Sequence, residues 1–241
     1  MIREDTMKIS ERSVICVVCC LILMLTAALP AVAGEERWIA VEGVENLRDI
    51  GGYPAGEDTL SWGKVYRSAD ISGITDDGLA ALSELGIATV VDLRPHPDVG
   101  ALSDRLNAAD IRLVSLPMER DALSDKAEFY RRIIVLGRDS LTELLYLAAD
   151  EGALPMLIFD EEGVHEVEVG TMLLMGATGV SNENLIADYL LSNEAGADVR
   201  EEWGRHILNY FEEYGGIDYY MDAILDISPT TINLIHDNLT R

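Results

Sequence analysis

The sequence predicts an α/β fold, with a central, mostly parallel sheet, helices on both faces and a helix-rich C-terminal half. Three observations predict it. Short apolar runs at Ile87–Val91 and Pro155–Phe159 have the length of buried strands. Helical patterns with their own start and stop residues separate them. Everything after Glu168 reads as helix. Strands that alternate with helices imply parallel pairing, because a parallel partner needs a long crossover.

Thr75 can cap a helix through Leu85, which Gly86 stops, and the strand Ile87–Val91 follows. Ile111–Leu116 is a second strand candidate. Lys126–Ala149 is helical in pattern, with a break near Gly137, and Pro155–Phe159 is a third buried strand. Ser181 and Ser228 are cap residues, the latter followed by Pro229 at the first helical position. Neither an internal repeat nor a Pro/Gly/Ser-rich linker interrupts this pattern, so residues 34–241 are expected to form one domain. In open parallel sheets ligands sit at the carboxyl ends of the strands, which makes the loop after Phe159 the place to look for function.

Residues 1–33 have the layout of a secretory signal. An apolar run from Val14 to Leu29 is followed by Pro30 and the small-residue stretch Ala31-Val32-Ala33, and cleavage after Ala33 would leave Gly34 at the N-terminus. An uncleaved anchor is the alternative, and either Met1 or Met7 can be the start. The expected location is therefore the periplasm, the exterior or the cell surface. All three cysteines, Cys16, Cys19 and Cys20, lie in that run. The mature chain has none, so it can form no disulfide and run no reaction on a cysteine nucleophile. The net charge of −25, from 18 Lys and Arg against 43 Asp and Glu, disfavours nucleic acid and anionic membrane surfaces as partners. No membrane association is expected beyond a possible N-terminal anchor. Such acidity fits solubility in salty surroundings or cation binding.

Three motifs occur in order in the N-terminal half: Asn46-Leu47-Arg48-Asp49-Ile50-Gly51-Gly52-Tyr53, then Gly63-Lys64-Val65-Tyr66-Arg67-Ser68-Ala69, then Thr89-Val90-Val91-Asp92-Leu93-Arg94. Gly179-Val180, Ala187–Asn193 and Tyr214–Tyr220 follow in the C-terminal half. In this order and spacing, over about 41–241, the chain resembles the bacterial-type protein tyrosine/serine phosphatases of the cysteine-dependent phosphatase superfamily. The resemblance implies a phosphatase-like fold. It also implies a catalytic loop after the third strand that reads His-Cys-x-x-Gly-Lys-Asp-Arg-Thr-Gly in the family. There a thiolate attacks phosphorus, backbone amides and an arginine fork hold the phosphate oxygens, and an aspartic acid protonates the leaving oxygen.

Setting the shared glycine at Gly163 aligns the next helix through Gly179-Val180 without a gap. His then becomes Phe159 and the nucleophilic Cys becomes Asp160. After Gly163, the Lys becomes Val164, the Asp His165 and the Arg Glu166, while Thr-Gly becomes Val167-Glu168. Only the glycine survives. The loop now holds Asp160, Glu161, Glu162, Glu166 and Glu168 with no lysine or arginine. One carboxylate about 4 Å from a phosphate charge costs on the order of 4 kcal/mol at an effective dielectric near 20. Glu at 166 also puts an acceptor where the family has a bidentate donor. With the final glycine replaced by Glu168, the loop can keep its phosphate-cradling shape or lose it, and the sequence does not choose between the two.

An inactive relative, a pseudophosphatase that binds an unknown protein or small molecule without a cofactor, is the reading these substitutions favour. The alternative is an enzyme, in the widest case a phosphoester hydrolase, that uses loop 160–168 to hold a divalent cation. Asp160, Glu162, His165 and Glu166 would be its ligands, carboxylates alone suiting calcium or magnesium and His165 tilting the site to zinc or manganese. Asp160 as an acyl-phosphate nucleophile would need such a metal and a nearby lysine, which the loop lacks. Otherwise the acidic side chains are expected to splay into water. Arg48, Arg67 and Arg94 surround the loop in the family. Here they can face its carboxylates, or Arg67 and Arg94 can hold Asp92 and Asp49 in structural salt bridges, which is preferred. His96 is expected on an exposed turn, and His206 and His236 carry no assigned role.

Overall fold

Strand β7 (Met156–Phe159) lies at the centre of a five-stranded sheet in the order β1 (Arg48–Asp49), β4 (Val65–Ser68), β7, β5 (Thr89–Asp92), β6 (Arg112–Ser115). β1 runs antiparallel to β4 and every other pair is parallel, as the alternating pattern predicts. The structure is a computed structural model and describes residues 37–98 and 100–241. The expected signal segment, 1–33, lies outside the described residues. Strands β2 (Pro54–Ala55) and β3 (Asp58–Thr59) form a separate hairpin.

The sheet buries both faces because successive side chains alternate. Val90, Leu157 and Phe159 pack to one side with Leu82 of α1 (Asp76–Glu84) and Leu102 and Leu106 of α2 (Gly100–Ala108). Val91, Met156 and Ile158 pack to the other, against the larger core. That core is built from α3 (Lys126–Leu136), α4 (Arg138–Ala149), α5 (Glu166–Ala177), α6 (Asn182–Leu190) and α7 (Glu201–Glu213). A short helix α8 (Ile217–Tyr219) running into a π turn, and α9 (Pro229–Leu239), complete the helical half.

The caps behave as their chemistry requires. The side chains of Thr75, Ser181 and Ser228 accept from the amides of Gly78, Asn184 and Thr231, and Gly137 separates α3 from α4. The apolar runs shift by a residue or two: Thr89–Asp92 replaces Ile87–Val91, and α5 starts at Glu166 rather than after Glu168. α2, β1 and β4 carry too few patterned residues to be read as elements from sequence. The register aligns Ser68 and Asp92 on either side of Phe159. The chain therefore leaves β4, β5 and β7 at one edge, placing Ala69, Leu93 and Asp160 side by side.

Candidate functional site

The loop after β7 is wound around its own first residue. The Asp160 carboxylate accepts hydrogen bonds from five main-chain amides: Glu162 at 2.9 Å, Gly163, Val164 at 3.3 Å, His165 at 2.9 Å and Val167 at 3.0 Å. The last of these belongs to the first turn of α5, whose free amides and positive dipole end favour an anion. The loop thus forms an anion cradle despite the loss of glycine at 168, and a side chain of the loop fills it. Asp160 is fully buried, as are Glu166 and Glu168. The acidic loop does not splay into water: only Glu161 and Glu162 are exposed.

Gly163 explains its own survival. Its φ is +69°, and a Cβ there would lie 2.7 Å from the Ala69 amide nitrogen and 2.8 Å from Asn46 Nδ2. A side chain fits neither the conformation nor the space. The Gly163 carbonyl accepts from Asn46 Nδ2 at 3.0 Å and from Arg67 at 3.1 Å, and Asn46 in turn accepts from Arg48 at 2.6 Å. The first two motifs thereby hold the loop backbone in place.

Arg48 and Arg67 are fully buried, and their charge is met mainly by Asp188 of α6. Asp188 Oδ2 lies 3.2 Å from Arg48 and 3.0 Å from Arg67, and Oδ1 lies 3.8 Å from Arg37 and accepts from the Tyr53 hydroxyl at 3.3 Å. Burial pushes the Asp188 carboxyl up, but Arg48, Arg67 and Arg37 together hold it below its ordinary value. Arg67 also pairs with Glu168 at 2.7 Å and donates to Thr171 at 3.1 Å. Glu168 is nevertheless pushed up to about 7 by burial.

Of the two arginines and two carboxylates preferred as salt-bridge partners, only Arg94 and Asp92 pair with each other. Arg94 grips Asp92 with two bonds, at 2.9 and 2.7 Å, and reaches Asp70 at 3.0 Å and Ser72 at 2.7 Å. Arg67 does not pair with Asp49. The Asp49 carboxylate instead accepts from the Gly51 and Gly63 amides at 2.7 and 2.6 Å, so it shapes the turns around β1.

A residue without a sequence signal completes the site. Arg120, in the segment between β6 and α3, reaches over the loop to pair with Glu161 and, at 3.3 Å, with Glu166 Oε2. Glu166 Oε1 is buried without a hydrogen-bond partner. Burial first, and then the neighbouring Asp160, push the Glu166 carboxyl up to about 9, so it holds its proton at neutral pH. His165 leaves the loop on the other side. Its Nδ1 lies 3.2 Å from the Tyr130 hydroxyl, Nε2 lies 3.1 Å from Glu162, and its ring packs edge-on against Phe129. Burial lowers its pKa.

These partners account for the four candidate metal ligands. Asp160 is spent on amides, Glu166 faces Arg120, and Glu162 and His165 face each other. Among the described residues no group of three or more His, Cys, Asp or Glu side chains could hold a metal ion. The divalent-cation alternative lacks a site there. Beside the loop opens a cleft of about 470 Å³, whose wall includes Glu45, Glu161, Glu162, Lys126, Asp198 and Trp203. The Lys126 ammonium is held over the Phe129 and Trp203 rings, at 4.4 and 4.9 Å from their centroids. His96 lies on a bend and His206 and His236 lie in α7 and α9, all apart from the loop.

A model described as "Tyrosine phosphatase family" matches residues 39–241. A protein of Cupriavidus necator named "Putative tyrosine-protein phosphatase" is 26% identical over an alignment of 183 residues and is matched over 68% of this chain and 66% of that protein, just under two thirds of its length. Among solved structures, the catalytic core of Siw14 is 15% identical, with a TM-score of 0.50 over 80% of this chain and 92% of that chain. That likeness shows the fold. The TpbA structure from P. aeruginosa is 19% identical and covers 67% of this chain and 86% of that one, at a TM-score of 0.38, too low to carry an argument.

Proposed function

We propose that this chain, which belongs to the tyrosine phosphatase family over residues 39–241, is an exported member without phosphatase activity that acts by binding. One observation carries the reading. At the nucleophile's position a carboxylate occupies the cradle that would receive phosphate, held by five amides. A dianion would have to displace a tethered, fully buried anion and then sit among Glu161, Glu166 and Glu168. No arginine fork extends from the loop to receive it, since position 166 is Glu. The guanidiniums around the loop are already engaged, Arg48 and Arg67 by Asp188 and Glu168 and Arg120 by Glu161 and Glu166.

Export rests on the signal-like layout of residues 1–33. The test has two parts. The purified chain is incubated with an aryl phosphate across the pH range, with no turnover expected above the protein-free rate. A protein-dependent rate abolished by Asp160→Asn would overturn the reading. Mass spectrometry of the chain recovered from the cell envelope or medium is expected to find Gly34 at its N-terminus, and recovery of the full-length chain from the cytosol alone would refute export.

A further inference from the structure

The chain spends its positive charge inward. Arg48, Arg67 and Arg94 are buried, and the buried carboxyl groups of Asp188, Glu168 and Asp92 meet them. Among the described residues no lysine is exposed: Lys64 is half-buried, and Lys126 lies over two aromatic rings. The exposed Arg131 and Arg205 are already paired with Glu128 and Glu201 on their own helices. Most of the net charge of −25 therefore rests on carboxylates that face water. The crowding is sharpest in the last helices. Between Arg205 and Arg241 the sequence holds no lysine or arginine, while Glu212, Glu213, Asp218, Asp222, Asp226 and Asp237 are all exposed. Asp218 and Asp222 share the wall of a hollow of about 500 Å³ whose lining has no basic side chain. Arg138 of α4 reaches this part of the chain but lies against the Tyr210 and Tyr220 hydroxyls.

We propose that the folded chain depends on concentrated salt, the small cations of the medium supplying a counter-charge that its own surface lacks. The length scale carries the argument. Side chains three or four residues apart on neighbouring turns have Cβ atoms about 5–6 Å from each other. That is inside the screening length of about 10 Å at 0.1 M salt and outside the 3 Å or so reached at 1 M. Repulsion among such carboxylates works against the compact state, and it is relieved only well above 0.1 M. Local pairs such as Arg205 with Glu201 lose little over the same range, because exposed ion pairs contribute little to begin with. The inference is independent of whether the chain acts by binding.

The experiment follows the melting temperature of the unmodified chain at neutral pH in sodium chloride from about 0.1 M to about 2 M. A rise of about 10 °C is expected, most of it above about 0.3 M. A flat or falling curve would overturn the proposal. Salts also act on proteins through exclusion from their surface, so a variant separates the two causes. Asp218→Asn, Asp222→Asn and Asp226→Asn together take the net charge from −25 to −22. Because repulsion grows as the square of the charge, this triple variant is expected to melt above the parent at the lowest salt and to gain about a quarter less from added salt. A gain equal to the parent's would show that the carboxylates are not the cause and would overturn the proposal. Should the triple variant not fold, Glu57→Gln, Glu84→Gln and Asp104→Asn remove three exposed carboxylates elsewhere on the surface, and the same two outcomes decide.

Discussion

Removing the Asp160 side chain is the sharpest probe of the filled cradle. In Asp160→Ala five amides that now meet a carboxylate lose their acceptor inside a buried loop. A hydrogen bond to a charged group contributes about 1.5–3 kcal/mol net. The 3.3 Å bond from Val164 counts for little, water can reach part of the vacated space, and burying the carboxylate no longer costs desolvation. A loss of about 3–5 kcal/mol follows, which for a domain of this size lowers the melting temperature by about 10–15 °C. Asp160→Asn keeps one acceptor oxygen but turns an NH₂ group toward donors, so about half that loss is expected. The atoms deleted in the Ala variant are those of a formate ion. Formate at about 100 mM is therefore expected to restore part of the lost melting temperature, with chloride at equal ionic strength as control. Differential scanning calorimetry in the two salts measures both effects. An Ala variant within about 1 kcal/mol of the parent would refute the claim that this carboxylate organises the loop.

Asp188→Asn strips the main counter-charge from two buried guanidiniums and should cost about 3–5 kcal/mol in chemical denaturation. Because Asp188 is held below its ordinary value, its contribution is present above the unfolded-state pKa and is lost as pH falls through the folded one, so the difference between variant and parent should shrink in acid. Glu166 has the opposite sign. With its pKa raised to about 9, the folded chain keeps a proton that the unfolded chain releases near pH 4.5, so parent stability falls with rising pH across that window, by at most about 1.4 kcal/mol per unit. Glu166→Gln should remove this slope and be more stable than the parent at pH 8, and parallel curves from pH 5 to 9 would contradict the assignment. Asp160→Cys is expected to show no aryl phosphate turnover, because the thiolate would face Glu166 where the family has arginine; measured hydrolysis by this single variant would show that the charge of the loop matters less than argued.

The sheet was legible because buried strands announce themselves by apolar length, and the register on Gly163 was legible because one backbone conformation there admits no side chain. Arg94 with Asp92 was legible too, being two residues apart on one strand end. The partners of Arg67 were not: Asp188 and Glu168 come from α6 and α5, and nothing local in the sequence joins them to β4. Arg120 lies in a segment without periodicity, so its reach over the loop has no sequence signal at all. The substitution at 160 was read as a loss of nucleophile. Its gain, a short acidic side chain able to bend back onto the amides behind it, depends on a loop path that only the folded sheet edge imposes.

Strand β7 is laddered on both sides, to β4 and β5, up to the residue before Asp160. The carboxylate is thus fastened to the least yielding part of the molecule, and the amides it binds cannot swing free unless the central ladders part. Deuterium should enter the Gly163, His165 and Val167 amides only when the whole domain opens, at the same slow pace as Leu157 and Ile158. The loop at the carboxyl edge of the sheet is thus expected to be the last to let solvent in.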